Sequence, residues 1–224
     1  MKIETFTQND LGPTLAKRVA DDLRAALSAN DKASIAVPGG STPGPFLSAL
    51  SNEALDWSKV AVTLSDERCV PADHERSNQR LVSLHLLQGP AKAAQFIPLY
   101  FGNQEVDEIE RALRENALPL DVCVLGMGND MHTASLFPGT PGLSALLDPN
   151  GERFASFVSP LGADEPRVTL TAKALATATH TYLLMKGAEK REALGRAMET
   201  DNREAAPIRA ILESARSPIV FYAD

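Results

Sequence analysis

Polar and apolar positions along the chain switch repeatedly between a helical and an extended period. Leu15, Val19, Leu23 and Leu27 recur at four-residue spacing and predict a helix with one apolar stripe. A short strand near Ile3–Phe6 precedes it. After it, the apolar run Ser34–Val37 breaks into Pro38-Gly39-Gly40. A helix from Pro43 carries Phe46, Leu47 and Leu50, and Val60–Leu64 reads as a second buried strand. The segment Arg76–Leu87 is expected to be helical and Gln95–Leu99 extended. Val106, Ile109, Leu113 and Ala117 mark another amphipathic helix. Asp121–Leu125 is a third apolar run, ending in Gly126-Met127-Gly128. Later strands are expected at Phe154–Val158, Val168–Leu170, Thr181–Met185 and Ile219–Tyr222, with a helix at Gly187–Met198 between the last two.

Short apolar strands alternating with helices predict a mostly parallel sheet covered on both faces. The expected architecture is a three-layer α/β/α sandwich with a Rossmann-like sheet. Ligands of such sheets bind beyond the carboxyl ends of the strands. The 224 residues suit a single domain over 1–224.

Composition narrows the function classes. Apolar residues make up 44% and charged residues 23%, enough for a substantial core. A net charge of -7 argues against a nucleic-acid surface, yet a few converging cations can still form a local anion site. Cys69 and Cys123 lie far apart, with neither a disulfide framework nor metal-ligand spacing, which suits a reducing, cytoplasmic setting. The N-terminal MKIETFTQND has no apolar signal core, and no stretch approaches the ~20 apolar residues of a membrane span.

Several strand ends carry unusual residues. In Pro38-Gly39-Gly40-Ser41-Thr42-Pro43, Thr42 suits an N-cap and Pro43 a first helical position. Gly39 and Gly40 let backbone approach a ligand, and free N–H groups there favour phosphate. The same string serves equally well as a tight turn with no ligand, and it matches neither the P-loop nor the dinucleotide fingerprint. Ser65-Asp66-Glu67-Arg68, followed by Ser77-Asn78, can orient hydroxyls and an anionic group, or form a surface ion pair before a helix cap. His132 follows Gly126-Met127-Gly128-Asn129-Asp130-Met131 and is expected in the first turn of a short helix, whose dipole would keep its imidazole neutral and ready to accept a proton. Asp130 can hold that ring or repolarise it, and a lone His in this position serves equally as a structural residue that satisfies a buried backbone carbonyl. Arg167 and Lys190 can converge on a phosphate from later strand ends, though either one taken alone reads as a solvated side chain. His74, His85 and His180 have no comparable setting, and His85 reads as packing.

Taken together, these segments resemble the 6-phosphogluconolactonase family. The matching pieces are Gly39-Gly40-Ser41-Thr42-Pro43, Asp66-Glu67-Arg68-Cys69-Val70-Pro71, Ser77-Asn78, Gly126-Met127-Gly128, His132 through Gly139, and Arg167-Val168-Thr169-Leu170-Thr171. They stand in the family's order over most of the chain. One position departs: the family usually has Gly before the catalytic His, and here it is Met131. Gly permits a positive φ that Met resists, so the backbone at 131 is expected to be ordinary or the loop remodelled.

The resemblance implies the fold of glucosamine-6-phosphate deaminases and ribose-5-phosphate isomerases. It also implies hydrolysis of 6-phospho-D-glucono-1,5-lactone to 6-phosphogluconate, in the oxidative pentose phosphate pathway. His132 would then be the base. Arg68 or the Gly39–Ser41 backbone would face the oxyanion. Arg167 and Lys190, with Ser41 and Thr42, would hold the phosphate. Asp66, Ser77 and Asn78 would bind substrate. Neither cofactor nor metal is expected, and the partner is a small sugar-phosphate lactone, met by a monomer or small homo-oligomer with no nucleic acid or membrane. The rivals are a deaminase or isomerase of the same fold and a non-catalytic sugar-phosphate sensor. The deaminases carry a Gly-His-Ile-Ala-Phe-Asn-Glu type string whose final acid is missing here.

Overall fold

The computed structural model describes residues 1–162 and 164–224. Ten strands alternate with eight helices among them. In chain order they are β1 (Lys2–Phe6), α1 (Gln8–Asn30), β2 (Ala33–Val37), α2 (Gly44–Leu50), β3 (Val60–Leu64), β4 (Asp66–Arg68), α3 (Asn78–His85), β5 (Gln95–Ile97), α4 (Val106–Asn116) and β6 (Val122–Leu125). There follow α5 (Leu143–Leu146), β7 (Ala155–Val158), β8 (Arg167–Leu170), α6 (Ala172–Leu175), β9 (His180–Lys186), α7 (Ala188–Glu199), α8 (Pro207–Ser214) and β10 (Ile219–Ala223).

Seven strands form one all-parallel sheet in the order β1-β10-β9-β6-β2-β3-β5. Its inner strands β2, β3 and β6 are buried at every residue, as strands covered on both faces must be. Right-handed crossovers place helices by the direction in which the chain moves along the sheet. From β1 to β5 it moves one way, and α1, α2 and α3 pack together on one face; from β5 back to β10 it moves the other way, and α6, α7 and α8 pack together on the opposite face. The order therefore reverses between β2 and β6. A crevice opens at such a point, beyond the carboxyl ends of the strands.

The expected single sheet is corrected in one respect. At Ser65 the chain leaves the main sheet, and β4 joins β8 and β7 in a second, antiparallel sheet. Ser65 holds the two together: its N–H donates to the Val37 carbonyl at 2.9 Å and its carbonyl accepts from Leu170 N at 2.9 Å. From the other side, the buried Glu110 carboxylate of α4 accepts the N–H groups of Phe154 and Ala155 at the start of β7. The small sheet is thus fixed beside the crevice.

Two helix starts also differ from expectation. Thr42 does not cap α2; Pro43 takes the N-cap position with backbone already helical and no side-chain bond. The helix expected from Arg76 begins at Asn78, because Ser77 is its N-cap and accepts from Arg80 N at 3.2 Å.

Candidate active site

The loops after β2, β3 and β6 close around a cleft of about 200 Å³ at the reversal point. Gly39, Gly40, Ser41, Thr42, Asp66, Arg68, Asn78, His132, Arg167 and Lys190 all line it. Of the other residues singled out from sequence, Asp130 stands behind His132, and Ser77 does not face the cleft. The Ser77 hydroxyl donates to Glu67 at 3.1 Å, which is the physical reason it is turned away. Glu67 likewise faces inward. It accepts the N–H groups of Arg68, Asn78 and Gln79 at 2.6–2.7 Å, so it ties β4 to the start of α3. Burial pushes its carboxyl above the usual range, and those same donors hold it back.

His132 is not on a helix. Residues 129–142 form turns, with Met131, Ala134, Gly139 and Gly142 all at positive φ, a sequence of conformations no helix can contain. The helix-dipole argument therefore does not apply, and contacts fix the ring instead. Nδ1 lies 2.5 Å from Asp130 Oδ1, and the imidazole stacks on Phe137 with centroids 3.9 Å apart. A carboxylate on Nδ1 selects the tautomer with its proton there, leaving Nε2 as the acceptor. Burial opposes ionisation of Asp130, but the His132 hydrogen bond, its charge and backbone donors outweigh it, so the carboxyl sits below its ordinary value.

Met131 departs from the expectation of an ordinary backbone. Its φ is +67°, so the backbone keeps the left-handed conformation that Gly would adopt freely. That costs a non-Gly residue roughly 1–2 kcal/mol. Met131 N donates to Gly128 O at 3.0 Å, Met131 O accepts from Ile208 N at 3.1 Å, and the side chain packs on the core. These contacts hold the turn where the side chain alone would not.

Cations supply the opposite wall. The antiparallel register sets Arg68 against Arg167 and Asp66 against Thr169. Side chains of period two then share one face, so both arginines reach the cleft, where their like charges repel; the Arg68 guanidinium also donates to the Arg76 carbonyl. Burial lowers the Arg167 pKa, and nearby Arg68 lowers it further. Burial also lowers that of Lys190, in the first turn of α7. Arg68, Arg167 and Lys190 against Asp66 leave an excess of two positive charges in the cleft of a chain whose net charge is -7.

Close approach explains Gly39. A Cβ there would fall 2.0 Å from Asn78 Oδ1, and Asn78 in turn donates to the Asp66 carbonyl at 2.8 Å. Sequence reasoning passed over Ser135, Thr169 and Phe137. Ser135 donates its hydroxyl to Asp66, Thr169 accepts from Ser135 N, and Phe137 touches both the His132 ring and, at 5.3 Å, the Arg167 guanidinium. Ser135 and Phe137 belong to the His-Thr-Ala-Ser-Leu-Phe string, which was the available signal. Among the described residues no group of three or more His, Cys, Asp or Glu side chains is placed to hold a metal.

An α/β fold wound both ways, with an oriented imidazole and a cationic wall at its reversal point, defines a protein that handles small anionic metabolites. The chain belongs to the family described as glucosamine-6-phosphate isomerases/6-phosphogluconolactonase, which matches residues 7–220. It is 45% identical over 217 residues to the 6-phosphogluconolactonase of Rhizobium meliloti (strain 1021), covering 93% of each chain. It is 42% identical over 212 residues to that of Pseudomonas aeruginosa, covering 93% of this chain and 88% of the relative. A crystal structure of a 6-phosphogluconolactonase from Shewanella baltica OS155 matches with a TM-score of 0.94 at 37% identity, over 100% of this chain and 98% of that one.

Proposed function

We propose that this chain, as a single domain over 1–224, is a 6-phosphogluconolactonase, hydrolysing 6-phospho-D-glucono-1,5-lactone to 6-phospho-D-gluconate. The observation that carries the mechanism is an imidazole held through Nδ1 by Asp130, in one cleft with an excess of two positive charges. His132 Nε2 takes a proton from water, and the hydroxide adds to the lactone carbonyl. Arg68 or the backbone N–H groups near Gly39–Ser41 meet the oxyanion. The tetrahedral intermediate collapses, the C–O bond to the ring oxygen breaks, and the imidazolium returns its proton to that oxygen. Asp130 holds the tautomer and balances the transient imidazolium charge. The new carboxylic acid, with a pKa of about 4, ionises at neutral pH and draws the reaction forward.

Arg167 and Lys190, with Ser41 and Thr42, hold the phosphate, whose charge near −2 matches the cleft. Asp66 and Asn78 meet the sugar hydroxyls. The cationic wall and the two free cysteines suit a cytoplasmic enzyme of phosphorylated sugars, working as a monomer or small homo-oligomer.

A coupled assay on freshly prepared lactone tests the activity. Ammonia release from glucosamine 6-phosphate, without lactone hydrolysis, would assign the chain to the other branch of its family. Within the assay, Arg167→Ala should raise KM about 10- to 100-fold, the worth of one charge-assisted contact, and change kcat little. An unchanged KM removes Arg167 from the phosphate grip.

A further inference from the structure

Ser135 lies wholly inside the protein, at 0% exposure, in the loop that carries His132. Its hydroxyl donates to Asp66 Oδ2 at 2.5 Å, and its N–H donates to Thr169 Oγ1 at 3.1 Å. Asp66 and Thr169 are themselves register partners across β4 and β8. Ser135 is therefore pinned to both strands of the cationic wall.

The same Asp66 oxygen faces Arg167. Nη1 of Arg167 stands 4.0 Å from Oδ2, beyond hydrogen-bond range, although both side chains are largely shielded from water. Arg167 Nε is buried with no hydrogen-bond partner among the described residues. A carboxylate and a guanidinium this close and this poorly solvated would ordinarily close into a forked pair. Here the carboxylate is held on both oxygens, Oδ2 by Ser135 and Oδ1 by the Ser65 hydroxyl at 3.3 Å. Oδ2 retains room for a second donor, so it is the fixed orientation of the carboxylate that keeps the gap open.

We infer that Ser135 is a positioning residue that holds Asp66 away from Arg167, keeping the guanidinium donors free for the phosphate of the substrate. The inference rests on the proposed reading of Arg167 as phosphate ligand. Without the Ser135 hydroxyl, Asp66 turns to Arg167 and competes with the phosphate for it. Ser135 thus acts on affinity through two other side chains, at a site it does not itself touch.

Competitive inhibition by inorganic phosphate, measured on wild type, Ser135→Ala, Arg167→Ala and the double variant, tests this. Ser135→Ala should weaken phosphate about 10-fold, and the double variant should bind no more weakly than Arg167→Ala alone. A merely structural Ser135 would lower thermal stability without that non-additivity. If the two losses multiply, or if Ser135→Ala binds phosphate like wild type, the inference fails while Arg167 keeps its role. If Arg167→Ala itself leaves phosphate binding unchanged, the reading beneath it fails and takes the inference with it. Should Ser135→Ala not fold, Ser135→Cys keeps the shape with a weaker donor. It must then show a loss that vanishes in the Arg167→Ala background.

Discussion

Replacement of His132 by alanine is expected to lower kcat roughly 10²–10⁴-fold, the usual worth of a positioned general base. The expectation rests on how firmly the ring is held. Asp130 fixes Nδ1 at 2.5 Å, and Phe137 supports one face with centroids 3.9 Å apart. An imidazole so restrained loses little orientational freedom on reaching the transition state, so its removal is felt almost entirely in the chemical step. The side chain is 26% exposed and outside the core, so the variant should fold normally. Phosphate binding should survive, because the cations stand on β4, β8 and α7, outside the turn that carries His132. Initial rates measured against the spontaneous hydrolysis of the lactone decide the matter. Turnover equal to wild type would end the assignment of His132 as base.

Gly128→Ala should produce the second large loss, through geometry and with no chemical group removed. A Cβ on Gly128 would fall 2.3 Å from two atoms of the His132 ring and 2.4 Å from Asp130 Oδ1. Neither side chain can keep its place. The imidazole must swing away from Asp130, and a displacement of about 1 Å at a reacting group costs on the order of 10² in rate. The expected signature is a fall in kcat with KM nearly constant, since Arg167 and Lys190 lie outside the disturbed turn. Equal effects on kcat and KM would mean that the whole loop had moved. A kcat within a factor of about two of wild type would show that the ring has room to yield.

The parallel strands were legible in the sequence because burial on both faces leaves nearly unbroken apolar runs. Val60–Leu64 was delimited to the residue and Asp121–Leu125 to within one. The small sheet was not legible as such. The strand β4 is three charged residues, Asp66–Arg68, and its partner β8 lies about a hundred positions later, so no local period announces their pairing. The helix α8, Pro207–Ser214, has no counterpart among the elements expected from the sequence. The gathering of polar side chains at strand ends followed from the fold class, and the cleft does collect most of them. What local reading could not supply was how each is held. A helix was expected under His132, but positive φ at Met131 and Ala134 excludes one, and Asp130 with Phe137 takes over its task. Ser77 and Glu67 read as groups that could face a ligand, yet they satisfy each other and the start of α3. Ser135 is invisible from sequence for a similar reason: its meaning depends on Asp66, 69 residues away.

The confrontation of Arg68 with Arg167 is an electrostatic mismatch that the single carboxylate of Asp66 only partly offsets. A guest bearing two negative charges relieves that mismatch, so occupancy should be readable as heat resistance with no turnover at all. Phosphate at a hundredfold its Kd adds about 2.7 kcal/mol to the native state, enough to delay melting by several degrees. Chloride at matched ionic strength, which screens but cannot bridge two forked donors, should leave the melting temperature nearly where it was. Equal protection by both salts would mean that the paired arginines repel too weakly to matter.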